Sequence, residues 1–192
     1  SAYGTGDDNN HCTEKSKLLP ISSYAKEKVA IEQVLMKRKN SISFRLATVF
    51  GMSPRMRIDL LVNDFTYRAT NDRFLILFEG HFKRNFIHVR DVTKAFLHSI
   101  CNFDRMKGEI FNVGLSEANL SKKELCSTIQ KYVPDFIFQE ANIGKDPDQR
   151  NYIVSNKKIE DSGFKADKTL DSGIVELIKG YKMIKNTRYG NI

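Results

Sequence analysis

The 192-residue sequence has no tryptophan, only four prolines and only three cysteines. Cys12, Cys101 and Cys126 are far apart, odd in number and form no Cys-x-x-Cys pair, which argues against a disulfide framework and for reduced thiols. His11, His81, His88 and His98 show no metal-ligand spacing with one another or with the cysteines, so no metal site is expected. No apolar run approaches membrane-spanning length, and the first residues do not read as a secretory signal. A cytoplasmic protein with no membrane partner is the expectation. Repeats and low-complexity stretches are missing too. So is the glycine-rich strand-turn-helix that cradles a dinucleotide pyrophosphate; Gly4-Thr5-Gly6 is too sparse to count as one.

What is present reads as an ordinary globular chain of one large or two small domains, 41% hydrophobic and 28% charged. The net charge of +8 does not imply nucleic-acid binding, because the basic residues are dispersed among acids and no aromatic-basic motif occurs. Lys37-Arg38-Lys39 closes a helix, where cations complement the dipole.

The most informative stretch is 22–35. Pro20, Ser22 and Ser23 read as a helix entry, and Ala30, Ile31, Val34 and Leu35 recur at helical spacing, which predicts a helix with one buried face. Tyr24, Lys28, Ile31 and Leu35 follow at i, i+4, i+7 and i+11, so the phenol and the ammonium share a stripe and are expected to point where the helix is covered. A tyrosine titrates near about 10, and a neighbouring cation favours its phenolate, so such a pair can exchange a proton with a sugar hydroxyl near neutrality. The spacing is common in a lysine-rich chain. Tyr181 and Lys185 form a second case, and a snorkelling lysine on an amphipathic helix is the other reading of either pair.

Around this helix, residues 4–20 read as a polar loop and 41–50 as a buried strand of a parallel sheet whose carboxyl end lies at Ala47 and Thr48. A turn at 53–57, a helix over 58–69 and a strand over 73–79 follow. Helices over 91–103 and 121–132, the second opened by the Ser121 and Glu124 capping box, flank a strand at 109–113. A strand at 136–139, a loop at 146–150 and a last amphipathic helix over 170–184 complete the pattern. Asp91 is placed to cap the helix that it begins.

Four segments, in order, resemble the extended short-chain dehydrogenase/reductase superfamily, in its NAD-dependent nucleotide-sugar epimerase and dehydratase branch. They are Ser1-Ala2-Tyr3-Gly4 with Tyr24 at the usual distance, Arg45-Leu46-Ala47-Thr48-Val49-Phe50-Gly51, Lys83-Arg84-Asn85-Phe86-Ile87-His88-Val89-Arg90-Asp91-Val92, and Phe111-Asn112-Val113-Gly114. The resemblance implies an α/β fold: the C-terminal part of a Rossmann-like, doubly wound parallel sheet (1–51 and 84–114) with a smaller mixed substrate-binding lobe (52–83 and 115–192). It also implies a longer enzyme, cut just before Ser1, whose missing first third carries the cofactor loop and a partner hydroxyl. The fragment alone is expected to hold the cofactor poorly and to be inactive.

Carried over residue by residue, the resemblance makes Tyr24 and Lys28 the catalytic pair. They also meet an NAD or NADP cofactor, with Ala47 on the nicotinamide side. Ser1, Thr48, Asn63, Arg84 and Arg150 become contacts to a nucleotide-diphosphate sugar, the two arginines gripping the diphosphate. Arg55 and Arg57 are lesser candidates for the same cleft. Thr48 replaces the usual asparagine, and His88 and Asp91 are expected to be structural. Ser1 stands where the 4,6-dehydratases carry a glutamate, which favours an epimerase or reductase over a dehydratase. A binding protein without turnover is the competing class. The full-length protein is expected to form a homodimer.

Overall fold

The computed structural model describes residues 2–4, 11–141, 144 and 150–184. In chain order its elements are β1 (His11–Cys12), α1 (Ser23–Leu35), β2 (Ser43–Leu46), β3 (Thr48–Phe50), α2 (Leu61–Asn71), β4 (Phe74–Leu77), β5 (Lys83–His88) and α3 (Val89–Cys101). Then come α4 (Phe103–Met106), β6 (Ile110–Val113), β7 (Asn119–Ser121), α5 (Lys122–Gln130), β8 (Ile137–Glu140), β9 (Ile153–Val154), α6 (Lys157–Asp161) and α7 (Leu170–Met183). Strands and helices mix along the chain, and among the described residues all sheet pairings but one are parallel, as expected of this α/β class.

The apolar run 41–50 is extended, yet it changes partner midway. Its first half, β2, runs parallel to β6, and the Ala47 amide continues that ladder to Val113 O at 2.9 Å. Its second half, β3, runs parallel to β5 with Thr48 opposite Phe86. Because successive strand residues face opposite sides, β3 and β5 form a wall between two cores. Phe50 and Phe86 enter one core with Phe65, Leu125, Ile129 and Leu177. Val49 and Ile87 enter the other with Phe111, Val113, Ile159 and Phe164. Burying one such side chain contributes about 1.5 to 3 kcal/mol, so the wall is held from both faces.

Antiparallel β7 passes from the edge of β5 into α5 through the capping box predicted from Ser121 and Glu124, both of whose reciprocal hydrogen bonds are made. Gly51, at φ 112°, ends β3 where any side chain would collide with the His88 ring. Tyr181 packs inside α7 as expected. Its hydroxyl donates to Asn63 O at 3.0 Å, and burial pushes its phenol up. Lys185 lies outside the described residues.

Two expectations are corrected here. The stretch 4–20 contains a strand, β1, which pairs with β9, because Cys12 enters a small core with Tyr3, Tyr152 and Val154. Asp91 does not cap its own helix. His88 does so, its Nδ1 accepting the Arg90 amide at 3.2 Å, while the buried Asp91 carboxylate accepts the amides of Asp167 and Lys168 at 2.9 and 3.0 Å. The carboxylate thereby ties α3 to the segment leading into α7. Cys12 and Cys126 are buried and Cys101 is exposed, and burial pushes the Cys126 thiol up to about 12. Among the described residues no helix is long and apolar enough to cross a membrane, and no group of three His, Cys, Asp or Glu could hold a metal ion.

His88 is fully buried. Accepting a hydrogen bond at Nδ1 places its proton on Nε2, which faces Glu176 Oε1 at 3.6 Å. Desolvation lowers its pKa against the opposing pull of Glu176 and Asp91, with Arg90 and Lys168 adding to the depression. A depressed histidine stabilises the fold above its unfolded value of about 6.5 and loses that contribution as pH falls through the folded value. Unfolding free energy followed from pH 7.5 to pH 5 should therefore decline, with His88 supplying up to about 1.4 kcal/mol per pH unit. The His88→Gln variant should show a flatter decline; equal slopes would exclude this role.

Candidate active site

Tyr24 and Lys28 sit one turn apart in the first half of α1, with the Lys28 Nζ 5.5 Å from the centroid of the Tyr24 ring. They lie at a groove of about 690 Å³ that runs along β2. Ile31 and Leu35 line it too, so the four stripe residues share one space as their spacing predicts. Leu46 and Ala47 border it at the carboxyl end of β2, and Phe96, Ile100 and Phe103 of α3 and α4 complete its apolar lining.

The covering predicted for this stripe is absent from the described structure. Tyr24 is 62% exposed, Ile31 49% and Val34 63%. The buried residues of α1 are Ala25 and Glu32, on a neighbouring face. β2 has a strand partner on its β6 side, and no other strand among the described residues pairs with it. The apolar stripe is thus real and borders an open groove.

A polar network holds α1 in place. The Arg45 guanidinium, on β2, grips the Glu32 carboxylate with both Nε and Nη2, at 2.9 and 2.7 Å, and Ser43 Oγ adds a third bond to that carboxylate at 3.2 Å. Arg45 Nη1 reaches the Tyr3 hydroxyl at 3.0 Å, and that hydroxyl donates to Asn112 Oδ1 on β6 at 2.5 Å. Burial works against the charge on Arg45, but the hydrogen bonds to Glu32 and Tyr3 outweigh it and raise its pKa. Burial likewise raises the Tyr3 phenol, opposed by Arg45. Tyr3 thus serves as a neutral link, leaving Tyr24 as the exposed phenol of the groove.

The other candidates divide. Ala47 lines the groove, while Thr48, the next residue, is half-buried in β3 opposite Phe86. Arg84, at the start of β5, is only 3% exposed; its Nη1 donates to Lys83 O at 2.9 Å and its guanidinium lies 5.8 Å from the Tyr152 ring centroid. The segment carrying half-buried Arg150 is brought to the same place, since Asn151 Oδ1 accepts the Lys83 amide at 2.9 Å. Asn63 is taken up elsewhere. It is buried, its Oδ1 accepts the Gly51 amide at 3.1 Å and its Nδ2 donates to Arg57 O at 2.9 Å, so it fixes the turn after β3. Arg57 pairs with Asp59 at 2.6 Å; that bond raises its pKa, and a smaller contribution from Tyr24 puts it within electrostatic reach of the phenol. Ser1 lies outside the described residues.

Glu32, Arg45, Tyr3 and Tyr152 were not singled out by spacing. Glu32 does follow Lys28 by four residues, an i, i+4 lysine and acid on one helix, which is the local signal available.

The family model described as NAD dependent epimerase/dehydratase family matches residues 1–114. An uncharacterised protein of Schizosaccharomyces pombe is 24% identical over 93% of this chain and 58% of its own length. Among solved structures, the dTDP-glucose 4,6-dehydratase of Bacillus anthracis in complex with NAD superposes with a TM-score of 0.77 at 19% identity, covering 96% of this chain and 59% of that one. The UDP-glucose 4-epimerase of Thermus thermophilus, also with NAD, gives 0.76 at 20% identity over 94% and 60%. RMD of Pseudomonas aeruginosa, complexed with NADPH, gives 0.79 at 17% identity over 95% and 64%. The chain therefore spans about three-fifths of the length of these relatives.

Removing one partner of a largely buried, bidentate ion pair leaves the other charge without its counterion. Glu32→Ala should destabilise the fold by about 3 kcal/mol, lowering the melting temperature by roughly 6 to 12 °C. Adding Arg45→Met should cost much less than Arg45→Met does alone. Strictly additive losses in the double-mutant cycle would show that the pair is not coupled.

Proposed function

The chain belongs to the NAD dependent epimerase/dehydratase family, and from that premise we propose that it is the catalytic and substrate-binding portion of an NAD(P)-dependent nucleotide-sugar epimerase. Tyr24 is the acid/base and Lys28 its cationic neighbour. Arg84 and Arg150 grip the diphosphate, and Thr48 contacts the sugar. The observation that carries the reading is the phenol and ammonium side by side at a groove that is also lined by Ala47, just beyond the carboxyl end of a parallel strand. Ligands of such sheets bind at that end.

The donor set suits a nicotinamide nucleoside. An exposed hydroxyl and an ammonium one turn apart match the hydroxyls of a ribose, and Ala47 leaves room for a flat ring beside the strand end. Residues that would hold it here are Tyr24, Lys28 and Ala47; the sequence contains no glycine-rich turn for the pyrophosphate. A nicotinamide bound there would supply reversible hydride acceptance from the sugar carbon. Tyr24 accepts the proton of the sugar hydroxyl as that carbon is oxidised and gives it back on reduction, with the Lys28 ammonium beside its ring. The diphosphate, clamped by planar guanidinium groups, fixes the nucleotide while the oxidised sugar presents its other face. Epimerisation is preferred to dehydration because Ser1 stands where the resemblance expects a glutamate in dehydratases.

In the intact enzyme carrying this chain, Tyr24→Phe should lower turnover by about 10² to 10⁴-fold with nucleotide-sugar affinity nearly unchanged. Unchanged turnover would reject Tyr24 as acid/base. Resolving the products of candidate nucleotide sugars checks the reaction type: interconverted epimers support the proposal, and accumulation of a 4-keto-6-deoxy sugar would reassign the enzyme as a dehydratase.

A further inference from the structure

We infer that Tyr152 is a positioning residue for the substrate diphosphate, its ring face holding the Arg84 guanidinium in the orientation that meets phosphate. The inference rests on the role proposed above for Arg84. That guanidinium is almost entirely removed from solvent and lies over the Tyr152 ring, 5.8 Å from its centroid. A desolvated cation gains more from the negative face of an aromatic ring than an exposed one does. Held over the ring, the guanidinium has less freedom to turn, and a phosphate accepts two N–H donors of a planar fork together only when that fork is correctly aimed.

Tyr152 is itself held firmly. It is 8% exposed, and its amide donates to Lys83 O at 3.3 Å, beside the strand position of Arg84. Its ring packs edge-on against Tyr3, with centroids 5.9 Å apart and planes inclined at 63°. Tyr3 in turn carries the Arg45 guanidinium 5.4 Å from its own ring centroid and is locked through its hydroxyl to Asn112. Two tyrosines thus stand between two guanidinium groups. One of these anchors α1 through Glu32, and the other is the proposed phosphate ligand, so a rigid aromatic pair sets the spacing between the two ends of the site.

Calorimetric binding of UDP and dTDP to the chain tests the assignment, with UMP and dTMP as controls lacking the second phosphate. Tyr152→Leu should weaken diphosphate binding roughly three- to thirtyfold, and change monophosphate binding less. Tyr152→Phe, which keeps the ring face, should bind like the parent. Pentafluorophenylalanine at the same position keeps the shape but reverses the ring electrostatics; it should weaken diphosphate binding at an unaltered melting temperature, a result that stands even if the leucine variant fails to fold. Diphosphate affinity unchanged by the fluorinated ring, while Arg84→Gln weakens it, would overturn the role of Tyr152 and leave that of Arg84 intact. Arg84→Gln binding like the parent, or a parent chain that binds neither diphosphate, would overturn both.

Discussion

The structure turns on the bidentate bond between Arg45 and Glu32. The helix that presents Tyr24 and Lys28 buries only Ala25 and Glu32 among its thirteen residues, so apolar packing alone holds it weakly. What fixes it is a carboxylate taking three hydrogen bonds from β2, with Tyr3 and Asn112 extending the network to β6. Each side chain in this largely desolvated cluster has a partner, which is the condition under which buried charge is tolerated. The position of the phenol relative to the strand end is therefore set by directional bonds, to tolerances that apolar contact does not impose.

That arrangement explains how one helix can be firmly placed and yet display its apolar stripe. The two cores on either side of β3 and β5 are complete without α1: neither the Phe50 and Phe86 cluster nor the Ile87 and Phe111 cluster includes a residue from it. Tyr24, Lys28, Ile31 and Leu35 are consequently free to line the groove along β2. The phosphate end of the proposed site depends on a separate piece of structure, where Asn151 and Tyr152 hydrogen-bond to Lys83 and bring the late segment against the start of β5. Tyr3 and Tyr152 join these two regions, and both belong to the same small core.

Much of this was legible in the sequence, and the remainder fails for a consistent physical reason. Period 3.6 located α1 and put Tyr24 and Lys28 on one stripe, alternation located a strand over 41–50 that the structure divides into β2 and β3, and the Ser121 and Glu124 spacing located the cap of α5, since all three are local. Local pattern says which side chains share a face but not what lies opposite. It therefore predicted a covered stripe where the structure has a groove. It likewise offered Asn63 to the ligand, whereas its amide closes a turn against Gly51 and Arg57, and it gave Asp91 to its own helix when the partners are 76 and 77 residues away. The Tyr3 to Asn112 bond, joining positions 109 apart, has no signature in spacing at all.

Under the function proposed above, Tyr24 and Lys28 address one sugar and one nicotinamide nucleoside in the groove that Ala47 lines. A crystal structure of the intact enzyme with its dinucleotide and a nucleoside-diphosphate sugar tests this most directly. The account predicts the Tyr24 hydroxyl within roughly 3 Å of the sugar hydroxyl to be oxidised, with the Lys28 ammonium on the nicotinamide ribose. A sugar bound elsewhere, with Tyr24 left facing solvent, would contradict it.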